Sequence, residues 1–130
     1  MKNIFFALSI IFLFSCNGSN KVEVGNKTTM KVDLVYDAGD VARGEVVEAT
    51  FKLKNTGTYP LVIGEVIGSC SCTVADKPED PIKPGGEGVI KAKVTTKAAS
   101  PGTLSKTVNI MANTEPSLTQ VIVKAQVINK

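Results

Sequence analysis

A chain of 130 residues, once the apolar leader described below is set aside, holds enough sequence for one hydrophobic core and argues for a single domain. Its 15 Lys and Arg residues stand against 12 Asp and Glu, a formal charge of +3, and they alternate along the chain instead of gathering into the block that a nucleic-acid footprint would need. Histidine is missing, which removes the commonest general base, the Ser-His-Asp and Cys-His arrangements and the usual imidazole metal ligand together.

The first residues read as a lipoprotein signal peptide over 1–15. Lys2 supplies a positive start, Ile4 to Phe14 is almost wholly apolar, and small Ser15 stands before Cys16. As a helix that apolar run covers about 16 Å, roughly half of a ~30 Å hydrocarbon core, so it suits cleavage better than permanent spanning. Leu13-Phe14-Ser15-Cys16 resembles a bacterial lipobox, in which the cysteine thiol is acylated and becomes the mature N-terminus. An ordinary signal peptide, the alternative, leaves Cys16 a free thiol. Residues 16–29 then form a lipidated N-terminus and polar tether, and the membrane is a partner through the anchor.

From residue 30 the chain shows period-2 alternation in short runs broken by Gly, Pro, Asn and Asp, the pattern of half-buried strands. Val32, Leu34 and Tyr36 share one face of a first strand, and Asp37-Ala38-Gly39-Asp40 reads as a turn. A second strand starts near Glu45, with Val47, Ala49, Phe51 and Leu53 inward and Glu48, Thr50, Lys52 and Lys54 outward, until Asn55-Thr56-Gly57 breaks it. Leu61-Val62-Ile63 and Val66-Ile67 make a more continuous apolar run, expected of a central strand ending at Gly68.

A short strand follows near Cys72 to Val74, then a long Pro- and Gly-rich loop over 76–88. Ile90, Ala92 and Val94 mark the next strand. After the Ser100-Pro101-Gly102 turn, Leu104, Val108, Ile110 and Ala112 mark another, in which Lys106 falls on the inward parity as either a snorkelling side chain or a bulge. Val121, Val123, Ala125 and Val127 form the last. The expected fold over 30–130 is all-β, an immunoglobulin-like sandwich of about seven antiparallel strands. Its core must be aliphatic, because Phe51, Tyr36 and Tyr59 are the only aromatics after the leader and Trp is absent.

The carboxylates Glu65, Asp76, Glu79, Asp80 and Glu87 lie mainly in loops or beside Gly and Pro, where solvated surface is the ordinary reading rather than a glycosidase pair. Pro84-Gly85-Gly86-Glu87-Gly88 lacks the lysine and the following helix of a phosphate loop and reads as a turn. Tyr36 and Phe51 have inward parity, which leaves Tyr59 free. What remains is Ser69-Cys70-Ser71-Cys72-Thr73. On an extended strand the two Cα atoms would stand ~6.6 to 6.8 Å apart, at the upper limit for a disulfide, so a bridge needs a local turn. Three uses of Cys70 and Cys72 stay open: structural thiols at a strand end, a redox pair, or a soft-metal site for Cu(I). Zinc is disfavoured, since a tetrahedral site needs about four ligands.

Residues 37–114 resemble the bacterial domain-of-unknown-function family fifteen seventy-three, common in lipoproteins of Bacteroidetes-type organisms. The resemblance rests on Phe51-Lys52-Leu53-Lys54-Asn55-Thr56-Gly57, on Pro60-Leu61-Val62-Ile63 followed by Ser69-Cys70-Ser71-Cys72-Thr73, on Pro81-Ile82-Lys83-Pro84-Gly85 and on Asn113-Thr114. It implies an immunoglobulin-like sandwich related to pilus chaperones and major sperm protein, and no enzyme activity. Ser71 stands where the family usually has Gly, and a residue with a Cβ reaches left-handed backbone less readily, which speaks against a tight Cys70–Cys72 bridge.

The expectation is therefore a non-enzymatic cell-envelope lipoprotein, a protein-interaction or scaffolding module without a cofactor. It would be lipid-anchored at the outer membrane, face the periplasm, and present a sheet edge or loop end to another envelope protein. The alternative is a thiol redox or Cu(I) site at Cys70 and Cys72.

Overall fold

The computed structural model describes residues 25–130, so the leader, Cys16 and most of the tether lie outside the described residues. Eight strands appear in chain order: β1 (Met30–Val32), β2 (Val35–Ala42), β3 (Val46–Asn55), β4 (Ile63–Gly68), β5 (Thr73–Asp76), β6 (Glu87–Thr95), β7 (Gly102–Ala112) and β8 (Leu118–Ile128). They build two four-stranded sheets, in the order β1-β3-β6-β5 and β2-β8-β7-β4. The all-β sandwich is as expected, and the count is close to seven. One pairing of these strands departs from the antiparallel rule, since β2 runs parallel to β8.

The alternation read from sequence is the reason the sheets face each other. In β3, Val47, Ala49, Phe51, Leu53 and Asn55 are buried and every residue between them is exposed. In β6, Ile90, Ala92 and Val94 are fully buried, and in β8 so are Val121 and Val123. These side chains and those of Leu61, Val108 and Ile110 form one core between the layers. Phe51, 1% exposed, meets Tyr36 edge-on at 6.3 Å between ring centroids, so the core's largest ring ties one sheet to the other.

Four local expectations are corrected. Val32, Leu34 and Tyr36 do not share a face, because the run is two strands: β1 belongs to the first sheet, β2 to the second, and Leu34 at the crossing is 56% exposed. The Asp37 to Asp40 segment is a bulge inside β2 and not a turn. One extra residue is absorbed between the Asp37↔Lys124 and Asp40↔Gln126 pairs, Gly39 takes φ +65°, and its amide donates to Asp37 Oδ1 at 2.9 Å. β8 supplies partners on both sides of the bulge, which lets turn-prone residues stay in a strand.

β4 is an edge strand, not a central one. Leu61 is buried through a bridge to Ile82, while Ile67 points outward, so the apolar run is divided between two surfaces. At Lys106 the register with Val123 is unbroken and no bulge occurs; the side chain is half-buried on its inward parity.

The end of the tether is part of the packed structure. Thr28, 5% exposed, bridges Thr114 in parallel, its amide donates to Asn113 O at 2.9 Å, and the Thr56 amide donates to Thr29 O at 2.9 Å. Asn113 Nδ2 holds Asn26 O at 3.0 Å. The chain therefore enters the sandwich at the end formed by residues 55–60 and 113–117, and Cys70 and Cys72 lie at the opposite end.

Candidate functional site

Cys70 and Cys72 are joined in a disulfide, with Cα atoms 5.2 Å apart. The approach is closer than an extended strand allows because the chain turns here: Thr73 N donates to Cys70 O at 3.1 Å, and Thr95 N to Cys72 O at 3.0 Å. Among the described residues no non-glycine residue has positive φ, so Ser71 fits this turn in ordinary backbone. The expectation that Ser71 disfavours a bridge is thereby corrected. The buried Thr73 hydroxyl lies 3.6 Å from one sulfur and 3.8 Å from the other. The turn carries the chain from β4 in one sheet to β5 in the other, and the disulfide cross-links that corner. With the sulfurs bonded to each other, the pair is a disulfide and not a redox or Cu(I) site, which corrects the thiol alternative.

Of the sequence-selected carboxylates, Asp76, Glu79, Asp80 and Glu87 line an open cleft of about 680 Å³ between the long loop and β6, together with Lys77, Lys83 and Lys91. Glu65 is elsewhere, on β4. Lys77 and Glu79 pair at 3.3 Å, and the lining mixes both signs of charge. The Pro84-Gly85-Gly86 segment is a turn, held by Gly85 N to Asn55 O and Asn55 N to Gly86 O. Tyr59 is exposed, as expected once Tyr36 and Phe51 take the inward positions.

Two features escape a residue-by-residue reading. The outer face of the β2-β8-β7-β4 sheet carries a diagonal band of exposed apolar side chains. Met111 (42%) and Leu118 (45%) are register partners, Ile67 (45%) lies one row on, and Val35 (48%) is opposite Ile122 in the row beyond. Between them Gln120 Nε2 donates to Asn109 Oδ1 at 3.0 Å, so the band is apolar with a row of paired amides across it. Each residue alone is an ordinary exposed position, and pairing across four strands assembles the patch.

The second is Asn55, a strand breaker by its sequence context but fully buried. Its Nδ2 donates to Tyr59 O at 2.7 Å and Ile82 O at 2.9 Å, and its Oδ1 accepts from Thr28 Oγ1 and Gly57 N. Asn113 plays the same part nearby, accepting from Val62 N at 2.7 Å and donating to Pro60 O at 2.9 Å. Both asparagines fall in the motifs that carry the family resemblance, which is the one signal in the sequence that marks them.

A family described as protein of unknown function (DUF1573) matches residues 28–127, from buried Thr28 to Val127, the last buried residue of β8. No curated protein matches the sequence. Among solved structures, a protein of unknown function from Porphyromonas gingivalis is similar with a TM-score of 0.68 and 24% identity over 84% of this chain. This chain spans about half of that one, 51%. The ASH/PapD-like domain of human CEP192 gives a TM-score of 0.62 at 11% identity, covering 80% of this chain and 88% of that domain. The secreted serine protease VesC of Vibrio cholerae gives 0.59 at 9% identity, covering 77% of this chain and 23% of the protease. At such identities these likenesses establish the fold alone.

Proposed function

The chain belongs to the DUF1573 family of unknown function, and from that premise we propose that it is a lipid-anchored cell-envelope protein whose sandwich binds another envelope protein without catalysing a reaction. The observation that carries the reading is the band of Val35, Ile67, Met111 and Leu118 on the outer face of the second sheet. Apolar side chains gathered on one face around hydrogen-bonding amides, with few charges, have the composition of an interface centre. The anchor supports it from the sequence side: acylation of Cys16 would hold the domain at a membrane, in this reading the outer membrane facing the periplasm, where local concentration compensates for a modest patch.

Two measurements test this. Intact mass of the protein from its native membrane should show the leader removed before Cys16 and a lipid-sized increment on it. Photo-crosslinking residues placed at Met111 and Leu118 should capture one discrete envelope protein, while a residue at Thr50 on the other sheet should not. A mature chain without acyl mass removes the anchor, and equal labelling from both faces removes the interface.

A further inference from the structure

The charges that alternate along the sequence become one-sided when the strands pair. On the outer face of the β1-β3-β6-β5 sheet stand, among the described residues, Lys31, Lys52, Lys54, Lys91 and Lys93, all exposed. The same face carries three carboxylates, Glu48, Glu87 and Asp76, so its balance is positive by two. Of these lysines only Lys93 is ion-paired, to Glu48 at 3.3 Å. Lys54, Lys91 and Lys93 lie directly across from Glu87, Asp76 and Glu48, while Lys31 faces Lys54 and Lys52 faces Val89, so the excess sits on Lys31 and Lys52. Opposite charges in register favour strand pairing and the like pair Lys31 and Lys54 opposes it, so pairing accounts for Lys91 and Lys93 but not for Lys31 or Lys52. The outer face of the other sheet has Glu65, Asp37, Asp40 and Lys124 and no such excess.

We infer that this lysine face is a membrane-contact surface, whose ligand is the anionic phosphate headgroup of the bilayer that holds the anchor. The inference rests on the envelope reading above, and two observations besides charge favour a lipid surface. β1, the first strand after the tether, is an edge of this very sheet, and the ten peptide steps from Cys16 to Asn26 reach at most about 36 Å, so Lys31 is within reach of the surface that Cys16 would occupy. Val74 (64% exposed) and Val89 (39%) rise among the lysines, giving the face short apolar contacts beside its cationic ones. Laid this way, the sandwich turns its apolar band away from the membrane and toward a protein partner.

The test is co-sedimentation of residues 17–130, which keep the whole sandwich and carry no acyl group, with vesicles of phosphatidylglycerol in phosphatidylcholine and with phosphatidylcholine alone. Binding is expected to the anionic vesicles only, and to fall about five-fold for each lysine removed in Lys31→Gln/Lys52→Gln. It should also vanish near 1 M salt, where screening shortens to about 3 Å. Lys124→Gln/Lys130→Gln removes the same charge elsewhere and should bind within two-fold of the parent. The inference is overturned by no binding to anionic vesicles, by equal losses in the two double variants, or by retention on heparin without vesicle binding, which would assign the face to a soluble polyanion. Since the tested chain has no lipid, these outcomes are independent of Cys16 acylation, which the intact mass decides.

Discussion

The Thr28 hydroxyl donates to Asn55 Oδ1 at 2.9 Å, and both residues are buried at the end of the sandwich where the chain enters. The bond links the start of the packed chain to the last residue of β3. Asn55 Nδ2 reaches on to the Tyr59 and Ile82 carbonyls, so a single amide joins three segments that are far apart in sequence. Buried amides are stabilising when every donor and acceptor is used, as here, and costly when one is orphaned.

Asn55→Ala is expected to destabilise the domain by about 3 kcal/mol, because it strands the Thr28 hydroxyl and the Gly57 amide and withdraws two donors. Thr28→Val should cost about 1 kcal/mol, the worth of one such bond. Urea unfolding of both variants checks this; equal costs would mean that Asn55 acts only through Thr28.

Gly68→Ala should cost about 2 kcal/mol or more. A Cβ there would stand 2.6 Å from Thr73 Cβ and 2.7 Å from its carbonyl oxygen, and that backbone is held in the turn behind the disulfide. Gly64→Ala, in the same strand, meets only Met111 O at 3.5 Å and should be near neutral. Thermal unfolding of the two variants separates close packing from any general effect of alanine on β4.

Alkylation of the native protein should leave Cys70 and Cys72 unlabelled until reductant is added, when both take label. Because the closed loop is so short, the entropic gain is small, and Cys70→Ser/Cys72→Ser should lower stability by about 1.5 kcal/mol while keeping the fold. A loss of folded signal altogether would show the bridge to be essential to the corner between β4 and β5.

Much of the core is legible in the amino-acid sequence. Phe51, Leu53, Ile90, Val94, Val108, Ile110, Val121 and Val123 fall on the inward side by parity alone, and all are buried, because strand side chains alternate with a strict period of two. The places where sequence and structure part are those where local chemistry is overruled from a distance. Asp37 to Asp40 has turn residues, yet β8 holds it as a bulge; the apolar run ending at Ile67 suggests a central strand, yet its outer row is left uncovered. The state of Cys70 and Cys72 is not legible, because their spacing does not say whether the chain between them is extended or turned.

By itself, then, the amino-acid sequence determined where β3, β6, β7 and β8 lie and which side of each is apolar, and it carries the lipobox-like segment at Cys16, all of which depend on neighbours within a few residues. Only the tertiary structure decided which strands lie side by side. That pairing separated the outward residues into an apolar band on one sheet and a lysine face on the other, made Asn55 a junction instead of a break, and brought the two sulfurs together. The physical reason is that parity is a local property of extended backbone, whereas strand order is chosen by the burial of the whole core and leaves no periodic mark on any one segment.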